Sequence, residues 1–266
     1  MQVDNTALRV MAVSQLVADG RWRAEALHTS KEHMVIWFTK GQGVLRIGGS
    51  RTSFGANTVA FIPAGVPHSF DAKPGVYGNA AIIADHPALE MPEAPILYRV
   101  RDLISHGEFV NLFEAMQREA ARDDATGNDR ACRHHAGILG VWLERQINHL
   151  TETREQKASE RLANRYTTLL ETQFAQGIGV GKMAQDLGVT PTHLTRACRQ
   201  ALGASAHELL AERLMYEARE RLAGSKTPIS AIAKELGFSS PAYFTRAFQK
   251  NTGKSPSAFR ATHTLH

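Results

Sequence analysis

Cysteine is almost absent from this chain: Cys132 and Cys198 are the two among 266 residues. That is too few for the disulfide framework on which small secreted folds depend, and both read as reduced structural thiols. Long hydrophobic runs are missing too. No stretch approaches the roughly 20 apolar residues that a membrane-spanning helix needs. The opening residues, with Asp4 among Gln2, Asn5 and Thr6, lack the basic-then-apolar order of a secretory signal. No amphipathic or lipid anchor is visible either. Together these absences lead to the expectation of a cytoplasmic protein with no membrane partner.

What is present is a division of charge. The total of +5 is uneven: residues 156–266 hold 15 Lys and Arg against 8 Asp and Glu, a net of +7, whereas residues 1–155 carry a net of −2. A basic C-terminal part attracts a polyanion, with strong salt dependence. The length and the 43% apolar content allow two domains, each with its own core.

The basic part contains a duplication. Leu187 and Gly188 return as Leu236 and Gly237, and Leu194, Thr195, Arg196 and Ala197 return as Phe244, Thr245, Arg246 and Ala247. The offset slips from 49 to 50 between the two sets, so the second copy has one extra residue in its turn. Each copy reads as a short helix, a glycine-opened turn and a second helix, the order of a helix-turn-helix. Apolar positions Leu194, Ala197, Cys198 and Leu202, and Phe244, Ala247 and Phe248, fall at helical spacing and bury one stripe. The opposite faces carry Thr192, His193, Thr195, Arg196, Arg199 and Gln200 in the first copy. In the second they carry Ala242, Tyr243, Thr245, Arg246, Gln249 and Lys250. Arginine can fork onto guanine O6 and N7, glutamine can pair with adenine, and lysine and threonine suit phosphates. A solvated helix surface would look similar once; its repetition at matched positions favours a double-stranded DNA partner.

The residues Ile229, Ile232-Ala233, Leu236-Gly237-Phe238, Tyr243-Phe244, Arg246, Phe248, Gly253, Ser255-Pro256 and Phe259-Arg260 resemble the signature of the AraC/XylS transcription regulators. The resemblance implies two helix-turn-helix modules joined by one helix, for which 208–222 has the spacing. It also implies base contacts from Thr192, Thr195, Arg196, Ala242, Tyr243 and Arg246, and RNA polymerase as a protein partner. Thr192 and Ala242 are smaller than some members carry, so the operator sequence is not transferable.

The N-terminal part has another texture: short β-prone runs at 34–39, 44–47, 59–62, 68–70 and 80–84, separated by glycine and proline. Pro63-Ala64-Gly65-Val66-Pro67-His68 resembles the second motif of the cupin fold, the usual sensor of such regulators. By that resemblance the metal positions fall on His28, Ser30, Met34 and His68. Two histidines do not close a metal site, so no metal, cofactor or catalytic set is expected and the protein is not expected to be an enzyme. A small-molecule effector is expected instead. His28, Ser30, Met34, Phe38, Lys40, His68 and Phe70 are the expected effector-binding residues. Lys40 at the mouth of an apolar pocket would favour an organic or aromatic acid, although it could equally snorkel into water. His33 has the opposite strand parity and should face away from the interior.

Between the two parts lie helices expected at 109–122 and 130–151. Leu139, Leu143, Ile147 and Leu150 form one stripe, which either packs on the barrel or pairs with its copy in a homodimer, the reading preferred here. The expected fold is therefore α+β with two domains: a cupin-like barrel over 1–90, a helical dimerisation and linker region over 91–155, and an all-α DNA-binding domain over 156–266. Three functions compete: an effector-controlled transcription regulator, an activator by preference; a metal-dependent cupin enzyme fused to a DNA anchor; and a ligand-free architectural DNA-binding protein.

Overall fold

The computed structural model describes residues 7–122, 127–149 and 156–263. Its N-terminal part has strands β1 (Leu8–Ala12), β2 (Glu32–Lys40), β3 (Gly43–Ile47), β4 (Ser50–Phe54), β5 (Thr58–Ile62), β6 (His68–Phe70), β7 (Tyr77–Ala84) and β8 (Ile96–Arg99), with short helices α1 (Val13–Leu16) and α2 (Trp22–Glu25) between the first two. A five-stranded sheet, β1-β7-β2-β5-β8, faces a three-stranded one, β4-β3-β6, and neighbouring strands are antiparallel. The expected runs are all strands. β1, β4 and β8 were not legible: β4, Ser-Arg-Thr-Ser-Phe, is polar and mostly exposed, and β8 carries the sheet beyond residue 90.

Strand alternation explains how the larger sheet is covered on both sides. Met34, Ile36 and Phe38 of β2 point to one core, shared with Leu45, Ile47, Phe54 and Phe70 of the facing sheet. Val35, between them, points to a second core with Val59, Phe61, Ala81 and Ile83. That second core is closed by α3 (Leu103–Ala120) and α4 (Asn128–His149) through Phe109, Phe113, Met116, Leu139, Trp142 and Leu143. A strand buried on both faces reads as an unbroken apolar run, and β5 is buried at every residue. His33 shares the parity of Val35, as expected, but it is buried: its ring stacks on Phe61 with centroids 5.9 Å apart and its Nδ1 accepts from the Ala64 amide at 3.1 Å. The stripe on α4 is thereby committed. Leu139 and Leu143 are fully buried within their own chain, which corrects the dimer reading of those two residues. Ile147 and Leu150 lie outside the residues whose side chains are described.

The C-terminal part comprises α5 (Ala158–Gln173), α6 (Val180–Asp186), α7 (Pro191–Leu202), α8 (Ala206–Gly224), α9 (Ile229–Glu235), α10 (Pro241–Thr252) and α11 (Pro256–His263). The pairs α6–α7 and α9–α10 are the two expected helix-turn-helix units, and the extra residue of the second lies between α9 and α10. Both α7 and α10 start in the same way. Proline occupies the first turn, and a hydroxyl before it, Thr190 Oγ1 or Ser240 Oγ, accepts the amide of His193 or Tyr243 at 3.2 Å. The joining helix α8 opens on a capping box: Glu208 accepts the Ser205 amide at 2.6 Å and Ser205 Oγ accepts the Glu208 amide at 3.2 Å. Buried Tyr166 of α5 donates to the Ala206 carbonyl at 2.6 Å, anchoring that start.

The two units have separate cores, with Leu194, Ala197, Cys198 and Leu202 in one and Phe244, Phe248 and Phe259 in the other; Phe174 packs against both. Gly237, which ends α9 with φ of +75°, has no room for a side chain. A Cβ there would lie 2.3 Å from the amide nitrogen of Gly177, itself at φ of +70°. The second unit therefore rests on the turn before the first through bare backbone.

Candidate nucleic-acid interface and ligand cavity

The open faces of α7 and α10 match position by position, although Ala247, expected on the buried stripe, is only half-buried where Ala197 is buried. Thr192, His193, Arg196, Arg199 and Gln200 are exposed and Thr195 is half-buried; Ala242, Tyr243, Arg246, Gln249 and Lys250 are exposed and Thr245 is half-buried. Beneath them, Leu194 and Phe244 are fully buried, so each helix is held by the stripe that faces inward while the other face stays open. Arg196 and Arg246 make no hydrogen bond or ion pair with a described residue. Tyr243 is 53% exposed and leans on Phe238, ring centroids 5.8 Å apart. Such free guanidiniums and hydroxyls can donate to phosphates or base edges. Cys198, by contrast, is sealed inside, and burial pushes its thiol up to about 12, which makes it inert as a nucleophile.

Of the residues expected to bind an effector, the structure brings His28, Ser30, Met34 and Phe70 to one cavity of about 280 Å³. His68 lies behind His28, the two rings 4.4 Å apart. His28 Nδ1 lies 2.9 Å from the Ala26 carbonyl and His68 Nδ1 lies 2.8 Å from that of Val66. A carbonyl only accepts, so each Nδ1 carries the proton and each Nε2 keeps a lone pair. The Nε2 of His68 is buried without a partner. Among the described residues no group of three or more His, Cys, Asp or Glu could hold a metal ion.

Two expected residues stand elsewhere. Phe38 is fully buried, stacked on Phe54 at 3.8 Å and edge-on to Phe70 at 5.7 Å, and fills the interior rather than lining it. Lys40 is exposed, with Nζ 5.6 Å from the Tyr77 ring centroid. The β2–β7 register shifts between Phe38 and Lys40, so the period-two count that sent Lys40 inward fails at that irregularity.

Sequence reasoning missed the other half of the cavity, which includes Arg9 of β1, Arg23 of α2, Glu32 and, from the joining helix α8, Tyr216. Tyr216 stacks on His28 with centroids 4.4 Å apart and planes within 7°. It belongs to a seam between the two parts of the chain. Arg46 donates to Glu212 at 2.8 Å, Thr29 to Glu171 at 3.0 Å, Arg213 binds Glu171 and Glu217 at 2.9 and 3.1 Å, and Arg23 pairs with Glu220. No local pattern marks the pairs that cross the seam, Arg46–Glu212, Thr29–Glu171 and Arg23–Glu220, because their partners are far apart in sequence.

Burial holds the imidazole of His28 well below its usual range, aided by His68, and burial also lowers that of His68. Both rings are neutral when folded, whereas an unfolded imidazole takes a proton near pH 6.5. The unfolded chain therefore binds more protons below that value. Their contribution to stability is whole above about pH 6.5 and is lost as pH falls towards the folded values. The melting temperature should drop between about pH 7.5 and pH 5.5, and by less in His28→Gln. An equal drop in both proteins would assign the pH dependence to other groups.

Comparison with known proteins agrees with this two-part construction. An AraC-like ligand binding domain matches residues 16–126 and a helix-turn-helix domain matches residues 183–262. The Escherichia coli arabinose operon regulatory protein is 27% identical over 124 residues, 47% of this chain and 42% of its own length, so the chain spans less than half of that relative. The probable transcription factor PqrA of Proteus vulgaris is 33% identical over 109 residues, 40% of this chain and 89% of PqrA. Among solved structures, the C-terminal domain of AraT from Geobacillus stearothermophilus is 31% identical with a TM-score of 0.39, covering 41% of this chain and 92% of that one. ToxT from Vibrio cholerae is 13% identical with a TM-score of 0.45, covering 98% and 99%. With its helix-turn-helix signature and ligand-domain match in a single polypeptide, the chain belongs to the AraC/XylS family of transcription regulators, carrying an N-terminal sensor domain.

Proposed function

We propose that this protein is an effector-controlled transcription activator that reads a duplex operator with α7 and α10, has no catalytic role, and works in the cytoplasm. The observation that carries the reading is the matched pair of open faces, each centred on an arginine without a described partner, Arg196 and Arg246, above a buried stripe. The net charge of +7 on residues 156–266 suits a polyanionic partner. Among the described residues no helix is long and apolar enough to cross a membrane. Genome-wide footprinting should yield one recurrent sequence, and mobility-shift titrations should find it bound far more tightly than random DNA. Equal affinity for both would leave an architectural protein. The genes beside the sites identify the pathway. Their transcription should fall when the protein is deleted if it activates through RNA polymerase, and rise if it represses.

An organic acid is the proposed effector, taken up in the cavity beside His28. A homodimer is proposed through the other face of α4, where Ile138 and Val141 are 52% and 46% exposed, since Leu139 and Leu143 are spent on the core. Sedimentation separates the two faces. Val141→Glu should give a folded monomer, whereas Leu143→Glu should lose several kcal/mol of stability, on the order of a deleted core side chain or more. A Val141→Glu protein that remains dimeric would remove this face from consideration.

A further inference from the structure

The cavity of about 280 Å³ is bounded by two parts of the chain, since Tyr216 of α8 forms one wall. Arg9 and Arg23 both reach it, and the Nε of each is buried with no partner. Their terminal nitrogens are engaged: Arg9 with Glu32 at 2.7 Å, and Arg23 with Asp19 at 3.2 Å and with Glu220 of α8. Met11, Leu16 and Ile82 supply apolar wall. Resting on the organic-acid reading above and deepening it, we propose that this cavity takes a small carboxylate with an apolar body, and that its head group replaces Glu220 on Arg23, unlatching α8 from the sensor.

Charge balance carries the exchange. Arg9 and Arg23 already face Glu32, Asp19 and Glu220, so a further carboxylate added to this partly desolvated space would meet uncompensated repulsion. Swapping one carboxylate for another leaves the total unchanged. Of the three, Glu220 is the one suited to leave. Glu32 is tied to Arg9, and Asp19 lies four residues before Arg23 in the turn that leads into α2, on the same side of the cavity, whereas Glu220 belongs to the other part of the chain. Burial already disfavours the charged form of Glu220, with Glu217 and Asp19 adding repulsion while Arg23 and Arg213 oppose it. The unmet Nε donors of both arginines are a standing cost until an acceptor arrives. Breaking Arg23–Glu220 leaves Arg46–Glu212, the Leu27 amide on Glu212, the His28–Tyr216 stack and the contacts of Trp22 with Tyr216 and Arg219 as ties to α8, so the acid removes the ion pair nearest the end of the helix that leads into the second helix-turn-helix unit.

The test uses the full chain with hexanoate and phenylacetate as probes, each against its neutral amide, measured by calorimetry on the wild type, Glu220→Gln and Arg23→Met. The acids but not the amides should bind the wild type. Glu220→Gln, which removes the competing charge, should bind them about fivefold more tightly, a gain that simple loss of a structural contact would not give, and Arg23→Met should lose binding. Glu220→Gln without ligand should also shift operator affinity in the direction that the acids shift the wild type. Acid binding that is equal in all three proteins would overturn the exchange while leaving an acid effector bound elsewhere. Failure of both acids to bind any of the three proteins would overturn the organic-acid reading itself, and the exchange with it.

Discussion

Arg246→Ala should weaken binding to the specific operator by about 1–3 kcal/mol and relax the preference at one base position. Arg246 is exposed in the middle of the open face of α10 and has no described partner that would hold it back from DNA. An arginine that forks onto a guanine loses two charge-assisted bonds on truncation, whereas one that only touches phosphate weakens all sequences alike and lowers the salt slope by about one. Titrations against operator and random duplex at two salt concentrations separate these outcomes; equal loss on both DNAs would make Arg246 a phosphate contact. Arg196→Ala at the equivalent position of α7 should act on a different base. Since the two arginines share no partner, the double variant should show roughly the sum.

Phe244→Ala should cost about 3–5 kcal/mol of stability. The side chain is fully buried between Phe238 and Phe248, with ring centroids at 5.1 and 5.8 Å, and truncation leaves a cavity that backbone this tightly held cannot close. The first unit keeps its own core around Leu194, so circular dichroism during heating should record early loss of part of the helical signal, with the remainder melting later. A single unchanged transition would mean that the second unit contributes little to the cooperative fold. Operator affinity should fall with the folded fraction of α10.

The double helix-turn-helix was legible because it rests on local rules: helical spacing at Leu194, Ala197 and Cys198, proline and a capping hydroxyl at Thr190 and Ser240, and glycine where the turn needs positive φ. The exposure of the outer faces of α7 and α10 followed from the same spacing. The sensor was legible in part. Strands with apolar alternation were found, whereas polar β4 carries no such signal. The α4 stripe was ambiguous because an amphipathic helix buries its apolar face equally well against its own sheet or against a copy, and the sequence does not distinguish them; Leu139 and Leu143 turned to the sheet. Lys40 was misdirected by counting parity through a register shift. The cavity was half legible, since resemblance to the cupin motifs points to His28, Ser30, Met34 and Phe70, while Arg23 and Tyr216 meet only through the docking of distant segments.

The bare-backbone contact of Gly237 on Gly177 bears on how far apart two half-sites of an operator can stand. With that contact and α8 both joining them, the two reading helices have one separation. Inserting a single base pair between their half-sites turns one against the other by about a tenth of a helical turn. A hinged pair of readers would absorb that rotation, but this one should lose an entire half-site, so promoters under its control should share one invariant spacer length even where their bases differ.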